Sequence, residues 1–150
     1  MKMVAVTGMD SARSARMRAT VVVLCLLAAA ACDESPTGPT VALDERFTLS
    51  PRTVAAVRDQ DVRVQFDQVT GDSRCPADAI CIQGGDALVH IRVSDRASTD
   101  AYVLHTGDSS QATIVHGSVR VALLELQPYP FSSRTIAPAD YRATLSVSRR

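Results

Sequence analysis

From Arg46 onward, apolar residues recur at every second position of the chain. This two-residue period places one set of side chains on one face of a β-strand and the intervening, mostly polar set on the other face. Many of the apolar residues are β-branched or aromatic, as strands prefer. The sets that we predict to be buried are Phe47 and Leu49; Val62, Val64 and Phe66; Ala87, Val89, Ile91 and Val93; Tyr102 and Leu104; Val119, Val121 and Leu123; and Tyr141, Ala143, Leu145 and Val147.

Short turn sequences separate these alternating runs. Gly, Asp and Ser cluster at residues 71–73, 84–86 and 107–110, and Val115-His116-Gly117-Ser118 suits a tight hairpin with Gly117 at positive φ. No stretch of ten or more residues has the period of an amphipathic helix. The chain is therefore predicted to be all-β, an antiparallel immunoglobulin-like or Greek-key β-sandwich of about seven or eight short strands.

The segment before the last run, Ile136-Ala137-Pro138-Ala139-Asp140-Tyr141, resembles the tyrosine corner of immunoglobulin-like and fibronectin-like sandwiches. The resemblance implies that the Tyr141 hydroxyl binds backbone a short distance upstream. It concerns the architecture and not the antibody domains themselves, because the chain has no Trp and because Cys75 and Cys81 are too close in sequence to join two sheets.

Residues 1–31 differ in composition from the rest of the chain. Four basic residues and one acid precede an unbroken run of apolar and small residues from Val21 to Ala31. As a helix, this run would span about 16 Å, roughly half of the ~30 Å hydrocarbon core of a bilayer. A basic region, a short apolar region and small residues before a cleavage point predict a secretory signal peptide and not a transmembrane helix.

The end of this leader, Leu27-Ala28-Ala29-Ala30-Ala31-Cys32, resembles the lipobox of bacterial lipoproteins. The resemblance implies cleavage before Cys32, lipidation of its sulfur and acylation of the new amine. The protein is then exported and membrane-anchored, faces the periplasm or the cell exterior, and has the membrane as a partner. The alternative is an ordinary signal peptide that is cut at a nearby Ala-x-Ala site, with Cys32 as a bystander.

The remaining chain divides into a predicted flexible tether, residues 32–45, and one β-sandwich domain, residues 46–150. The tether contains Asp33-Glu34-Ser35-Pro36-Thr37-Gly38-Pro39-Thr40, which is too polar to bury much surface. Residues 32–150 carry 12 Arg, no Lys and 15 acids, a formal charge of −3. With no basic patch, a nucleic-acid partner is not expected.

Two cysteines, Cys75 and Cys81, lie within the predicted domain. In an exported protein such a pair is by default a disulfide. The spacing C-x5-C is neither a zinc pattern nor the C-x-x-C of a redox enzyme. We therefore predict a structural disulfide that closes a short loop.

The densest local signal surrounds these cysteines, with Asp72-Ser73-Arg74-Cys75-Pro76 followed by Cys81 and by Gln83-Gly84-Gly85. It resembles a family of uncharacterised bacterial secreted proteins and lipoproteins, and the resemblance extends over most of residues 46–148. That family brings no activity with it, so the resemblance supports the fold alone.

Two interpretations of this motif remain open. In the first, the disulfide, Pro76 and the polar side chains simply order a long connection between two strands, with Arg74 paired to Asp72, Asp78 or Asp86. In the second, the same features pre-organise a binding loop that presents Asp72, Ser73, Arg74 and Asp78.

Catalysis has little support in the sequence. Ser73 lies beside Asp72, but a serine nucleophile needs a histidine within hydrogen-bond reach, and His90, His105 and His116 are predicted to lie exposed on strands or near turns. The acids Asp72, Asp78 and Asp86 lack the spacing of an EF-hand calcium loop. We predict no catalytic residue, no metal and no cofactor.

The function expected from the sequence is that of a non-catalytic binding module in the cell envelope with a protein partner. Two alternatives stay open: a small hydrolase or metal-dependent enzyme that uses Asp72 and Ser73 with a histidine, and an inhibitor-like binder that presents the Cys75–Cys81 loop. If the protein is an enzyme, we expect a pocket in which Ser73, Asp72 and a histidine meet. A binder predicts an exposed apolar patch, for example around Tyr129, Pro130 and Phe131.

Overall fold

The computed structural model describes residues 38–150, which form nine strands in two sheets. The predicted all-β sandwich is confirmed, with nine strands rather than seven or eight. The predicted leader, residues 1–31, and the lipidation residue Cys32 lie outside the described residues. The elements are β1 (Thr40–Val41), β2 (Arg46–Leu49), β3 (Thr53–Val57), β4 (Arg63–Thr70), β5 (Leu88–Ser94), β6 (Thr99–His105), β7 (Thr113–His116), β8 (Val119–Gln127), a 3-10 turn (Pro138–Asp140) and β9 (Arg142–Arg149).

Hairpins between consecutive strands build most of both sheets. The first sheet has the order β1-β3-β4-β5-β6 and the second the order β2-β9-β8-β7. All neighbouring strands are antiparallel except β1 and β3, which are parallel. In the β7–β8 hairpin, His116 pairs with Val119 and Gly117 has a φ of 55°, as the sequence predicted. Within residues 38–150, no helix is both long and apolar enough to cross a bilayer.

The core forms from the side chains that the two-residue period selected. Every predicted inward residue is buried except Tyr102, which is partly exposed and packs against the core. Phe66 of β4 and Ile91 of β5 are paired across the sheet and both are fully buried. Full burial of a side chain of this size stabilises the fold by about 1.5–3 kcal/mol. The alternation therefore fixes which face of each strand packs inward.

The folded domain begins before Arg46, so the predicted tether, residues 32–45, is too long. Thr40 pairs with Ala56 of β3, and Val41 is only 3% exposed. A Cβ at Gly38 would overlap the carbonyl oxygen of Val54, so the backbone already lies against β3 at that point. A strand of two residues is too short to show a period, which is why the sequence did not indicate it.

The antiparallel pairing gives the domain two distinct ends. At the end that we call the loop end, β4, β6 and β8 finish, β5 and β9 start, and the long connections at residues 71–87 and 128–141 lie between them. The opposite end holds the short hairpins at residues 95–98 and 117–118. All of the sequence motif around the cysteines therefore lies at the loop end.

Candidate binding surface at the loop end

Two loops contact each other at the loop end: the disulfide loop, residues 71–87, and the Tyr129 loop, residues 128–134. The predicted disulfide joins Cys75 to Cys81, with their Cα atoms 5.9 Å apart. The Ala77 amide donates a hydrogen bond of 2.9 Å to the carbonyl of Pro130. One loop is thus closed covalently and also fastened to its neighbour.

Arg74 anchors the disulfide loop to the body of the domain. Its side chain is only 6% exposed. Its Nε and Nη2 donate to the two carboxylate oxygens of Asp72 at 2.9 and 2.7 Å. Of the three candidate partners Asp72, Asp78 and Asp86, Arg74 therefore pairs with Asp72. Nη1 donates to the carbonyl of Leu126 at 2.6 Å, and Nη2 also donates to the carbonyl of Pro128 at 2.9 Å. A single guanidinium thus links the disulfide loop, β8 and the Tyr129 loop.

Tyr141 completes this buried network. Its hydroxyl donates a hydrogen bond of 3.0 Å to Asp72, so the contact expected from a tyrosine corner, with backbone just upstream, is wrong. An ionised carboxylate is a stronger acceptor than a carbonyl, and the fold brings Asp72 within reach across 69 positions of sequence. On the outer side, the guanidinium carbon of Arg74 lies 5.3 Å from the ring centroid of Tyr129, a cation–π contact.

The network shifts the pKa values of the Asp72 carboxyl and the Tyr141 hydroxyl. Burial raises the pKa of Asp72, but hydrogen bonds from the Arg74 side chain and amide and from Tyr141, with the Arg74 charge, outweigh burial and leave the pKa below its usual value. Burial together with the Asp72 carboxylate raises the pKa of Tyr141 to about 12. Asp72 is therefore ionised and Tyr141 neutral at physiological pH.

The remaining polar residues of the motif also bind within the protein. Asp78 accepts hydrogen bonds from the amide and hydroxyl of Ser132, at 2.8 and 3.2 Å. The Ser73 hydroxyl donates to the carbonyl of Asp86 at 3.0 Å and accepts from its amide at 3.1 Å. The Asp86 carboxylate contacts Nδ1 of His105 at 2.6 Å. Asp72, Asp78 and Asp86 thus have three separate partners, and residues 38–150 contain no group of three side chains suited to hold a metal.

Each of the three histidines has its own partner, and none of these partners is Ser73. His90 Nε2 lies 2.7 Å from the hydroxyl of Thr70, and His105 pairs with Asp86. His116 lies 3.0 Å from the Tyr102 hydroxyl and is 3% exposed, so its predicted exposure at a strand end is wrong. The described residues therefore do not form the serine–histidine pair that a hydrolase with Ser73 would need.

Four large apolar side chains are exposed on the two loops, and we call them the apolar tip. Ile80 and Ile82 flank Cys81 and are 104% and 105% exposed, and Tyr129 and Phe131 are about half exposed. The sequence pointed to the aromatic pair but not to the isoleucines. The signal in the sequence was the apolar run Ala79-Ile80-Cys81-Ile82 inside a loop that the disulfide prevents from extending as a strand.

A cleft of about 490 Å³ lies beside the apolar tip. His105 is one of the lining residues, and its Nδ1 is already paired with Asp86 at 2.6 Å. The cleft is lined by Arg74, Gly84, Gly85, His105, Thr106, Gly107, Ala112, Leu123, Leu124, Glu125, Leu126 and Tyr129.

Comparison of the chain with protein-family models, with curated proteins and with solved structures gave no match. The function is therefore argued from the geometry of the loop end and from the sequence of the leader.

Proposed function

We propose that this protein is a lipid-anchored envelope protein whose β-sandwich is a non-catalytic interaction module, with the apolar tip as its contact surface. The observation that carries the proposal is the complete exposure of Ile80 and Ile82 on a loop that is closed by a disulfide. Folding normally removes such aliphatic side chains from water, so a tip that keeps two of them exposed is suited to bury them against a partner.

The construction of the loops supports this role. Asp72, Ser73, Arg74 and Asp78, the polar residues of the motif, make hydrogen bonds within the protein and hold the loops in place. A surface that is already ordered loses little conformational entropy when it binds, which favours affinity. In this arrangement the polar residues position the loop, and the aliphatic and aromatic residues make the contact.

Attachment to the membrane rests on the leader and on Cys32. The lipobox-like sequence before Cys32 would give the mature chain two or more acyl chains, which hold a protein stably on a bilayer. The domain then works at the periplasmic or outer surface of a membrane, where its disulfide is stable.

The same exposed isoleucines favour a second candidate, an inhibitor-like binder that presents the Cys75–Cys81 loop to a protein. In that case the loop enters a groove of the partner, and Ile80 and Ile82 fill apolar pockets there. The two candidates share the apolar tip as contact surface. They differ in the shape of the partner surface, which must be a groove only for the inhibitor-like binder.

Site-specific photo-crosslinking in intact cell envelopes tests the contact surface. A photoreactive residue at position 82 should form adducts, whereas the same residue at position 115, where Val115 is 42% exposed at the opposite end, should form few. Equal yields at the two positions would contradict the proposal.

The mass of the mature protein tests the anchor separately. It should show cleavage before Cys32 and the added acyl groups, and Cys32→Ser should release the protein from the membrane fraction. An unmodified Cys32 in a membrane-bound protein would contradict the anchor while leaving the contact surface in place.

A further inference from the structure

Strand β6 is the longest of the strands that lie at the edges of the two sheets. It forms one edge of the first sheet with seven residues, and within the described part of the chain no strand lies on its outer side. The other edge strands are shorter, because β1 has two residues and β2 and β7 have four each. Short edge strands are one means by which proteins prevent a second chain from pairing with a sheet, and β6 lacks this protection.

The backbone of β6 has a row of free polar groups on its outer side. The amide of His105 donates to the carbonyl of Gln111 at 3.2 Å, outside the first sheet. Successive residues of an antiparallel strand direct their N–H and C=O groups to alternate sides, so the groups of Thr99, Ala101 and Val103 point the same way as those of His105. Among residues 38–150, no group hydrogen-bonds to these three residues on the outer side.

Other features that protect sheet edges are also absent from β6. It contains no Lys and no Pro, and its register with β5 is unbroken, whereas the β4–β5 and β8–β9 pairs each contain a register shift. The side chains of Thr99, Ala101 and Val103 are uncharged and exposed. The acid of this strand, Asp100, lies on the opposite face, where its carboxylate is 3.3 Å from Nδ1 of His116. The outer side of β6 is therefore open to another strand.

A second copy of the chain fits this row of groups by symmetry. When two β6 strands pair antiparallel about a two-fold axis at Ala101, each Ala101 lies opposite its own copy, and Thr99 lies opposite Val103 of the second copy. Every outward N–H of these residues then meets an outward C=O. In this register Asp100 lies opposite Tyr102 of the second copy and not opposite another Asp100, so like charges are not directly paired.

We propose that two copies of the protein pair through β6 and so form one continuous sheet across both domains. An identical copy is favoured over a flexible peptide, because both strands are already ordered and lose little conformational entropy on pairing. The contact is confined to one short strand from each copy, so the pairing is of the weak class and depends on protein concentration. This inference goes beyond the proposed function and uses no residue of the apolar tip.

Cysteine crosslinking of the full-length chain in intact cells tests the pairing. Ala101→Cys places two thiols across the two-fold axis, where the facing Cα atoms are about 5.5 Å apart, within the range that a disulfide spans. Thr99→Cys is the matched control on the same exposed face of β6. The two copies of position 99 are about 13 Å apart along the strands, which is too far for a disulfide. Wild type, oxidised in the same way, gives the background from the native cysteines.

After mild oxidation with copper phenanthroline, we expect A101C to give a reducible covalent dimer in roughly fivefold or higher yield than T99C. Co-expressed T99C and V103C chains should crosslink to each other, because these positions face each other in the same register.

A dimer yield from A101C that equals the wild-type background overturns the pairing. Equal yields from A101C and T99C would indicate random collision and would overturn it as well. If A101C crosslinks only to another protein, the edge of β6 belongs to a different partner and the assignment to a second copy is wrong. Photo-crosslinking at position 82 reports on the apolar tip separately, so either proposal can fail while the other stands.

Discussion

The guanidinium of Arg74 holds the carboxylate of Asp72 through two hydrogen bonds of 2.9 and 2.7 Å, with the two side chains 6% and 11% exposed. Such a two-point contact fixes the geometry of both groups as well as neutralising their charges. The same guanidinium donates to the backbone carbonyls of Leu126 and Pro128. This ion pair therefore helps to fix the position of the two loops relative to β8.

Replacing Arg74 by Ala should destabilise the domain by about 3–5 kcal/mol, because it leaves a buried carboxylate without its counter-charge. The Arg92→Ala variant is the control: Arg92 contacts Asp67 at 3.3 Å but is 48% exposed, and a surface pair of this kind contributes about 0–1 kcal/mol. Urea denaturation of both variants measures the difference. Equal losses would show that the Arg74 network has no special role.

Acid should weaken the domain through Asp72. The pKa of this carboxyl is lower in the folded protein than its ordinary value of 3.8, so protons bind more tightly to the unfolded chain. Its stabilising contribution is present above pH 3.8 and is lost as the pH falls through the lowered folded value. The free energy of unfolding of wild type minus that of Asp72→Asn, measured by urea denaturation, should be constant near neutrality and shrink below pH 3.8. A difference that stays constant down to the lowest pH would contradict the network.

Alkali should act on the same network through Tyr141. Its pKa is about 12 in the folded domain against 10.0 ordinarily, so its contribution is complete below pH 10 and is lost as the pH rises through 12. Tyr141→Phe keeps the ring in the core, removes one hydrogen bond to a charged group and should cost about 1.5–3 kcal/mol. Titration of tyrosinate absorbance should lose its step near pH 12 in this variant. A loss of amplitude near pH 10 instead would show that Tyr141 ionises like an exposed tyrosine.

The disulfide should matter more for the loop than for the fold. Its seven-residue loop contributes about 2–2.5 kcal/mol in the chain-entropy model. Most of the core residues belong to the strands, so C75S/C81S should keep the far-ultraviolet circular dichroism of the wild type. The same variant should lose photo-crosslinking at position 82, because Ile82 is no longer held at the tip. Undiminished crosslinking would mean that contact does not require a closed loop.

The sandwich could be predicted from the sequence because the alternation within each strand is a local pattern. Alternation in β4 and β9 places residues such as Val64 and Leu145 on one face whatever the neighbouring strands are, and both are fully buried. β1 and β3 were not indicated, because Thr40–Val41 is too short and Thr53–Val57 contains consecutive small and apolar residues with no clear alternation. A strand can be recognised from a two-residue period only when the alternation repeats several times.

The sequence located the residues of the loop end but did not predict the contacts among them. The cysteine pairing follows from composition and spacing, whereas the choice of Asp72 by Arg74 and by Tyr141 depends on contacts up to 69 residues apart. The exposure of Ile82 is a similar case, since an apolar residue in a loop turns outward or inward according to the packing around it. The proposed contact surface thus includes two isoleucines, Ile80 and Ile82, whose residue type alone is typical of a core.

His116 provides a last test, at the end of the domain opposite to the loops. Its side chain is 2% exposed and lies 3.4 Å from Asp95, while Nδ1 contacts the Tyr102 hydroxyl at 3.0 Å. His116→Phe keeps a planar aromatic ring, slightly larger than imidazole, but removes the polar partner of Tyr102, so it should cost about 1–3 kcal/mol in urea denaturation. His90→Ala, which removes only the partly exposed contact with Thr70, should cost about 1 kcal/mol or less. Because this site lies far from the apolar tip, His116→Phe should leave photo-crosslinking at position 82 at the wild-type level under conditions where the variant is folded, and a loss there would show that the two ends are coupled.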